Sequence, residues 1–166
     1  MREAIGGTWL FNLVIFFVLL FTGYMCLSIN YSKAFNVKDK IINEIERNGG
    51  IKNPSDSKDP TISAINAYLS EVGYRIKSDC NGYEYGCKRN GNCVKKPNGS
   101  DYAFCISEKK TIDNYKHAYP GEYIYASYYN VRVFYQLDVP IIQKLFKLTV
   151  DGDTKLVYNI DNAKEG

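Results

Sequence analysis

The sequence predicts an α+β protein. A long N-terminal helix, membrane-spanning in its first half and amphipathic in its second, packs on a small antiparallel β-sheet head with a disulfide-bonded loop. Three observations lead there. No charged residue occurs in residues 4–32. Apolar residues then recur at Ala34, Val37, Ile41 and Ile45, at helical spacing. Four cysteines, Cys80, Cys87, Cys93 and Cys105, stand ahead of a C-terminal stretch of alternating apolar residues.

Residues 1–7 read as a short polar leader. Residues 8–29 are apolar almost throughout, and ~20 such residues in a helix cross a hydrocarbon core of ~30 Å. The run is too long for the apolar part of a signal peptide and lacks a convincing cleavage site after it. No small residue precedes Cys26 as a lipoprotein signal requires, and a buried helix of a soluble protein is rarely so uniformly apolar. Trp9 at one end, with Tyr24 and Tyr31 at the other, fits the preference of amphipathic rings for membrane interfaces. Asn12 either reaches interfacial water or hydrogen-bonds a neighbouring helix within the bilayer, and Gly23 lets two backbones approach.

The helix is expected to continue past the apolar run to Asn48, where Gly49 and Gly50 supply a stop. Residues 8–48 would then form one helix ~60 Å long. Its Val37, Ile41 and Ile45 stripe is an expected assembly surface, flanked by Phe35 and Ile42. Residues 49–166 form the head. Asp59-Pro60 opens a second helix whose apolar face is Ile62, Ile65, Leu69 and Val72, with Gly73 at its end. Short strands are expected at residues 74–80 and 102–107, around a loop punctuated by Asn-Gly pairs. A longer strand covers residues 122–138, ending at Val139-Pro140. Phe146, Leu148 and Val150 lead to Asp151-Gly152, read as the turn of a C-terminal β-hairpin that returns over residues 154–158. Residues 161–166 read as a frayed tail.

The cysteine spacings, with six, five and eleven intervening residues, do not match a zinc site, and the single His117 adds little as a ligand. Two disulfides are expected instead, and they require an oxidising compartment outside the cytoplasm. Three connectivities are open; if Cys80 and Cys105 end neighbouring strands, a bridge between them closes the loop holding the other two. The flanking charges count the other way, with Arg2 before the apolar run and Lys33, Lys38 and Lys40 after it. A folded domain translocates despite such charge, so the cysteines decide the expected orientation.

Other function classes find little material. Net charge is +3, from 21 Lys and Arg against 18 Asp and Glu, too mild for a nucleic-acid partner. With one histidine and no phosphate-binding or dinucleotide glycine motif, no enzyme, metal or cofactor is predicted. Asp151 and Asp153 lack the further spaced ligands of a calcium loop. The tyrosines at 115, 119, 123, 125, 128 and 129 read as sheet residues rather than a glycan platform.

A short leader ending in glycine, an apolar helix running on as an amphipathic spine and a β-rich head together resemble the type IV pilin superfamily. Within it the chain is most like the TadE-like proteins of Tad (Flp) pilus systems. The residues that carry this are Val131 to Tyr135, Val139-Pro140-Ile141-Ile142 and the stretch from Leu145 to Tyr158. The resemblance implies a structural filament subunit, cleavage by a prepilin peptidase between Gly7 and Thr8, and self-assembly through the helix or with other pilin-like subunits. Asn12 stands where that family usually has a glutamate at the fifth mature residue. The rival expectation is a single-span membrane protein whose ectodomain binds a ligand, glycan or protein as a monomer.

Overall fold

No proline interrupts residues 2–47, and a single helix, α1 (Arg2–Arg47), carries them all. The computed structural model describes residues 2–89, 91–112, 125–136 and 147–158. Glycine ends α1 in the way its sequence suggests. Gly49 (φ 71°) donates to the Glu46 carbonyl, and Gly50 (φ 104°) donates to the Ile45 carbonyl at 2.8 Å. This paired arrangement satisfies carbonyls that a helix end leaves open.

The second helix, α2 (Pro60–Glu71), begins at a buried Asp59. One carboxylate oxygen of Asp59 accepts from the Thr61 and Ile62 amides, the other from the Lys52 and Asn53 amides. The same cap thus fixes the loop that returns from α1. Ile62, Ile65 and Leu69 are buried on one face. Val72, expected beside them, is instead the exposed C-cap: helical phase turns it outward while Gly73 and Tyr74 close the end with bonds to Ser70 and Leu69.

The described strands are β1 (Tyr85–Cys87), β2 (Cys93–Lys95), β3 (Phe104–Ile112), β4 (Tyr125–Gln136), β5 (Lys147–Asp153) and β6 (Val157–Tyr158). They form one antiparallel sheet in the order β2-β1-β3-β4-β5, with β6 also on β4. Alternation puts Tyr129, Val131 and Val133 of β4, with Phe104 and Ile106 of β3, on one face. There they pack with Val37, Ile41 and Ile45 of α1 and Ile62, Ile65 and Leu69 of α2. On the other face Phe134 and Cys105 pack with Cys80 and Tyr102, and Tyr83 closes over them.

Three sequence expectations need correcting here. Among the described residues no hairpin turns at Asp151-Gly152. Asp151 and Gly152 lie inside β5, opposite Arg132 and Val131, and β6 runs on along the same edge of β4. Gly152 serves packing rather than a turn: a Cβ there would stand 2.8 Å from Lys38 Cδ and 3.0 Å from Ile42 Cδ1, so its bare backbone admits α1. The register slips by one residue between β5 and β6, as in a β-bulge. At the slip Thr154 bonds the Tyr129 backbone, while the Lys155 amide donates to Glu46 on α1. Second, residues 74–80 form no strand; a single bridge joins Ser78 to Tyr102. Third, the cysteine loop contains a hairpin of its own, β1-β2, with Cys87 and Cys93 directly opposed. The expected break at Val139-Pro140 and the tail at 161–166 lie outside the described residues.

Tyr74 shows how the sheet ends are sealed. Beyond the start of β3, Phe134 has no strand neighbour on that side. The Tyr74 hydroxyl takes the neighbour's place, donating to the Phe134 carbonyl at 2.6 Å and accepting from its amide at 3.1 Å. Burial pushes the Tyr74 hydroxyl far above its ordinary pKa, against a smaller opposing effect of the bond to Phe134. Tyr74→Phe strands two buried backbone groups and should cost about 2–4 kcal/mol by urea unfolding. Because the raised folded-state pKa keeps the phenol neutral, its contribution is full below about pH 10 and declines as pH rises above it. The stability gap between the two proteins should therefore narrow above pH 10.

Candidate functional site

The part of the molecule that the fold does not use is the first half of α1. Every residue in 7–25 is exposed, large apolar groups among them, Trp9 at 70% and Phe21 at 68%. Residues 7–29 as a helix extend ~34 Å, enough to cross a bilayer's hydrocarbon core. By length and composition this helix is a candidate membrane span. The first α1 side chain buried by the head is Ala34, one residue after Lys33, the first charge beyond the apolar run.

Polar groups along this segment differ in one respect. The Thr22 hydroxyl donates back to the Val18 and Leu19 carbonyls, and the Asn30 amide donates to Cys26 Sγ at 3.7 Å. Such back-bonds remove the cost of a polar group in an apolar setting. The Asn12 amide makes no such bond among the described residues. Gly23 is open, with nothing within 4 Å of where a Cβ would be, and Gly7 is equally bare. Gly7 and Thr8 both lie within α1.

Val37, Ile41 and Ile45 do not share this surface. They are 4%, 0% and 0% exposed, buried under α2 and the sheet of their own chain. The expectation that they form an assembly face is corrected: surface already covered by the head is not available to a neighbour. Phe35 stays exposed, with the Lys38 ammonium 3.9 Å above its ring, and Tyr31 meets Tyr135 edge-on at 5.8 Å. The Tyr31–Tyr135 contact joins the outgoing helix to the end of β4.

The four head cysteines form two bridges, Cys80–Cys105 and Cys87–Cys93, and Cys26 is free. Asp151 is held by a two-pronged ion pair with Arg132 at 2.7 and 2.8 Å, and Asp153 accepts from Asn130. Arg132 also stacks 4.7 Å from the centre of the Tyr83 ring, and burial, then the Asp151 charge, raise the Tyr83 pKa. Among the described residues no group of three metal-ligating side chains occurs, and no buried side-chain nitrogen or oxygen lacks a partner. Of the tyrosine-rich stretch, Tyr129 is buried and its hydroxyl accepts from the Ile51 amide; positions 115, 119 and 123 lie outside the described residues.

Sequence reasoning missed one feature of the neck between helix and head. A groove of about 730 Å³ opens there between α1, the residues after α2 and the end of β4. Three distant segments build it, and no local pattern in any of them announces it. In comparisons with known proteins, no family model, no curated protein and no solved structure matches this chain.

Proposed function

We propose that this chain is a structural, pilin-like subunit. Residues 8–29 of α1 hold it in a membrane with the disulfide-bonded head outside the cytoplasm, and the same bare segment then packs side by side with other copies or related subunits. The observation that carries this reading is the continuity of α1. One helix is both the bare apolar segment and a core element of the head, with no linker between them. A simple anchor works equally well through a flexible tether, whereas repeated lateral packing requires each head to be held in a fixed relation to its helix. Outside lipid, the apolar surface of residues 9–29 needs another cover, since burial is worth ~25 cal/mol per Å². Bundling identical helices supplies it, with Asn12 and Gly23 at the contact. A head-to-tail arrangement that does not close into a ring grows as a filament.

The burial of Val37, Ile41 and Ile45 in the chain's own core favours the rival, a monomeric single-span ectodomain, because it leaves no apolar spine above the bilayer to explain. Electron microscopy of material sheared from expressing cells, with mass spectrometry of the recovered N-terminus, separates the two. Filaments of a chain beginning at Thr8 are expected, which also establishes peptidase processing after Gly7. Filaments beginning at Met1 retain the structural role without the peptidase. An intact monomer that stays in the membrane overturns the filament reading in favour of the anchored ectodomain.

A further inference from the structure

Cations line the groove at the neck from two of its walls. Lys33 of α1 and Arg75 and Lys77 after α2 line it together with the Asn36 amide, and no described carboxylate does. Lys77 is paired with Asp101, which Lys88 shares. Lys33 and Arg75 are exposed and have neither an ion pair nor a hydrogen bond among the described residues. Two uncompensated cations thus face one recess whose remaining wall includes Ala34, Ile76 and Tyr135. The C-terminal end of α2 also points here, but Val72, Gly73 and Tyr74 cap its carbonyls and blunt its negative dipole.

Its height on the helix identifies the occupant. At 1.5 Å per residue, Lys33 stands ~6 Å beyond Ile29, where the apolar run ends, and Asn36 ~10 Å beyond it. The headgroup layer outside the hydrocarbon core is ~5–8 Å thick on each side. With the helix inserted, the mouth of the groove falls in that layer. We propose that the groove binds the phosphate headgroup of an anionic phospholipid from the leaflet on the head's side. Lys33 and Arg75 pair with the phosphate, Asn36 faces the polar end of the headgroup above it, and the acyl chains descend along α1 toward Ile29. Bound there, the lipid braces the neck and sets the head's angle to the membrane. The inference rests on membrane insertion of α1 and not on filament assembly.

The test uses the full chain in nanodiscs of phosphatidylcholine and phosphatidylglycerol in equal parts, released and weighed by native mass spectrometry. Retention of phosphatidylglycerol in preference to phosphatidylcholine is expected. The variant Lys33→Gln/Arg75→Gln should lose that preference by roughly thirtyfold, as removal of two cations at a membrane surface predicts. Lys33→Arg/Arg75→Lys should keep it. Lys109→Gln/Lys110→Gln removes the same charge from exposed positions on β3 and should leave it unchanged. Equal retention of both lipids overturns the proposal, as does an equal loss in the β3 variant. Inorganic phosphate that displaces the lipid at millimolar concentration also overturns it, since the site then recognises a free anion. A chain that fails to enter nanodiscs overturns the anchoring itself, an outcome distinct from insertion without lipid preference.

Discussion

Ile41→Asp is expected to unfold the head while leaving the apolar half of α1 able to enter a membrane. Ile41 is fully buried, among Val37, Ile45, Ile62, Ile65 and Leu69 on the helical side and Val131 and Val133 on the sheet. A carboxylate placed there has no partner and no water, and a buried unpaired charge lies at the far end of mutational effects, above about 4–5 kcal/mol. Set against a total stability of about 5–15 kcal/mol for a domain of this size, that loss is decisive. Limited proteolysis and near-ultraviolet circular dichroism of the chain in detergent check it. Ile41→Ala, at about 2–5 kcal/mol, gives a graded version that keeps the charge out of the comparison. The result also decides which surface Ile41 serves. A well-folded Ile41→Asp head that only fails to associate would return the residue to an intersubunit face and contradict the core described above.

The second large effect is on the disulfides, and it should be unequal between them. Cys80 and Cys105 are 25 residues apart, and Cys87 and Cys93 are six apart. Loop-closure entropy in the unfolded chain gives about 3.5 kcal/mol for the longer bridge and about 2 kcal/mol for the shorter. The longer one ties residues after α2 to β3 across the outer face of the sheet, where Phe134, Tyr102 and Cys105 pack. The shorter one only staples a hairpin whose strands already pair. Cys80→Ala/Cys105→Ala should lower the melting temperature by on the order of 10 °C or more. Cys87→Ala/Cys93→Ala should lower it by roughly half as much. The reverse order would mean that the β1-β2 hairpin, rather than the sheet's outer face, limits the stability of the head. Reduction of both bridges together should bring the head close to unfolding, since the combined loss approaches a typical net stability.

Residues whose roles depend on near neighbours in sequence were legible in advance. The charge-free run, the Ala34, Val37, Ile41 and Ile45 period, the Gly49-Gly50 stop, the Asp59-Pro60 start and the alternation through Val131 and Val133 each act over one or two turns or along one strand. Helix and strand identity follow from such short-range geometry. The four cysteines likewise declared a disulfide-bonded loop, although their partners depended on which strands lie together.

Tertiary structure alone decided the purpose of those features. Nothing in the spacing of Ile41 and Ile45 says whether another subunit or the chain's own sheet covers them, because the same stripe suits either. Asp151-Gly152 carries the local signature of a turn, yet the glycine is there to admit Lys38 and Ile42 of a helix more than a hundred positions earlier. Tyr74 substitutes for a missing strand beside Phe134, 60 residues away. The neck groove exists only because α1, the chain after α2 and the end of β4 converge. By itself, then, the sequence determined the two helices, the long strand through Val131 and Val133 and the bare apolar half-helix, since backbone periodicity is local. Which surfaces meet, and so which remain free for a membrane or a neighbour, was decided by long-range packing that no window of sequence contains.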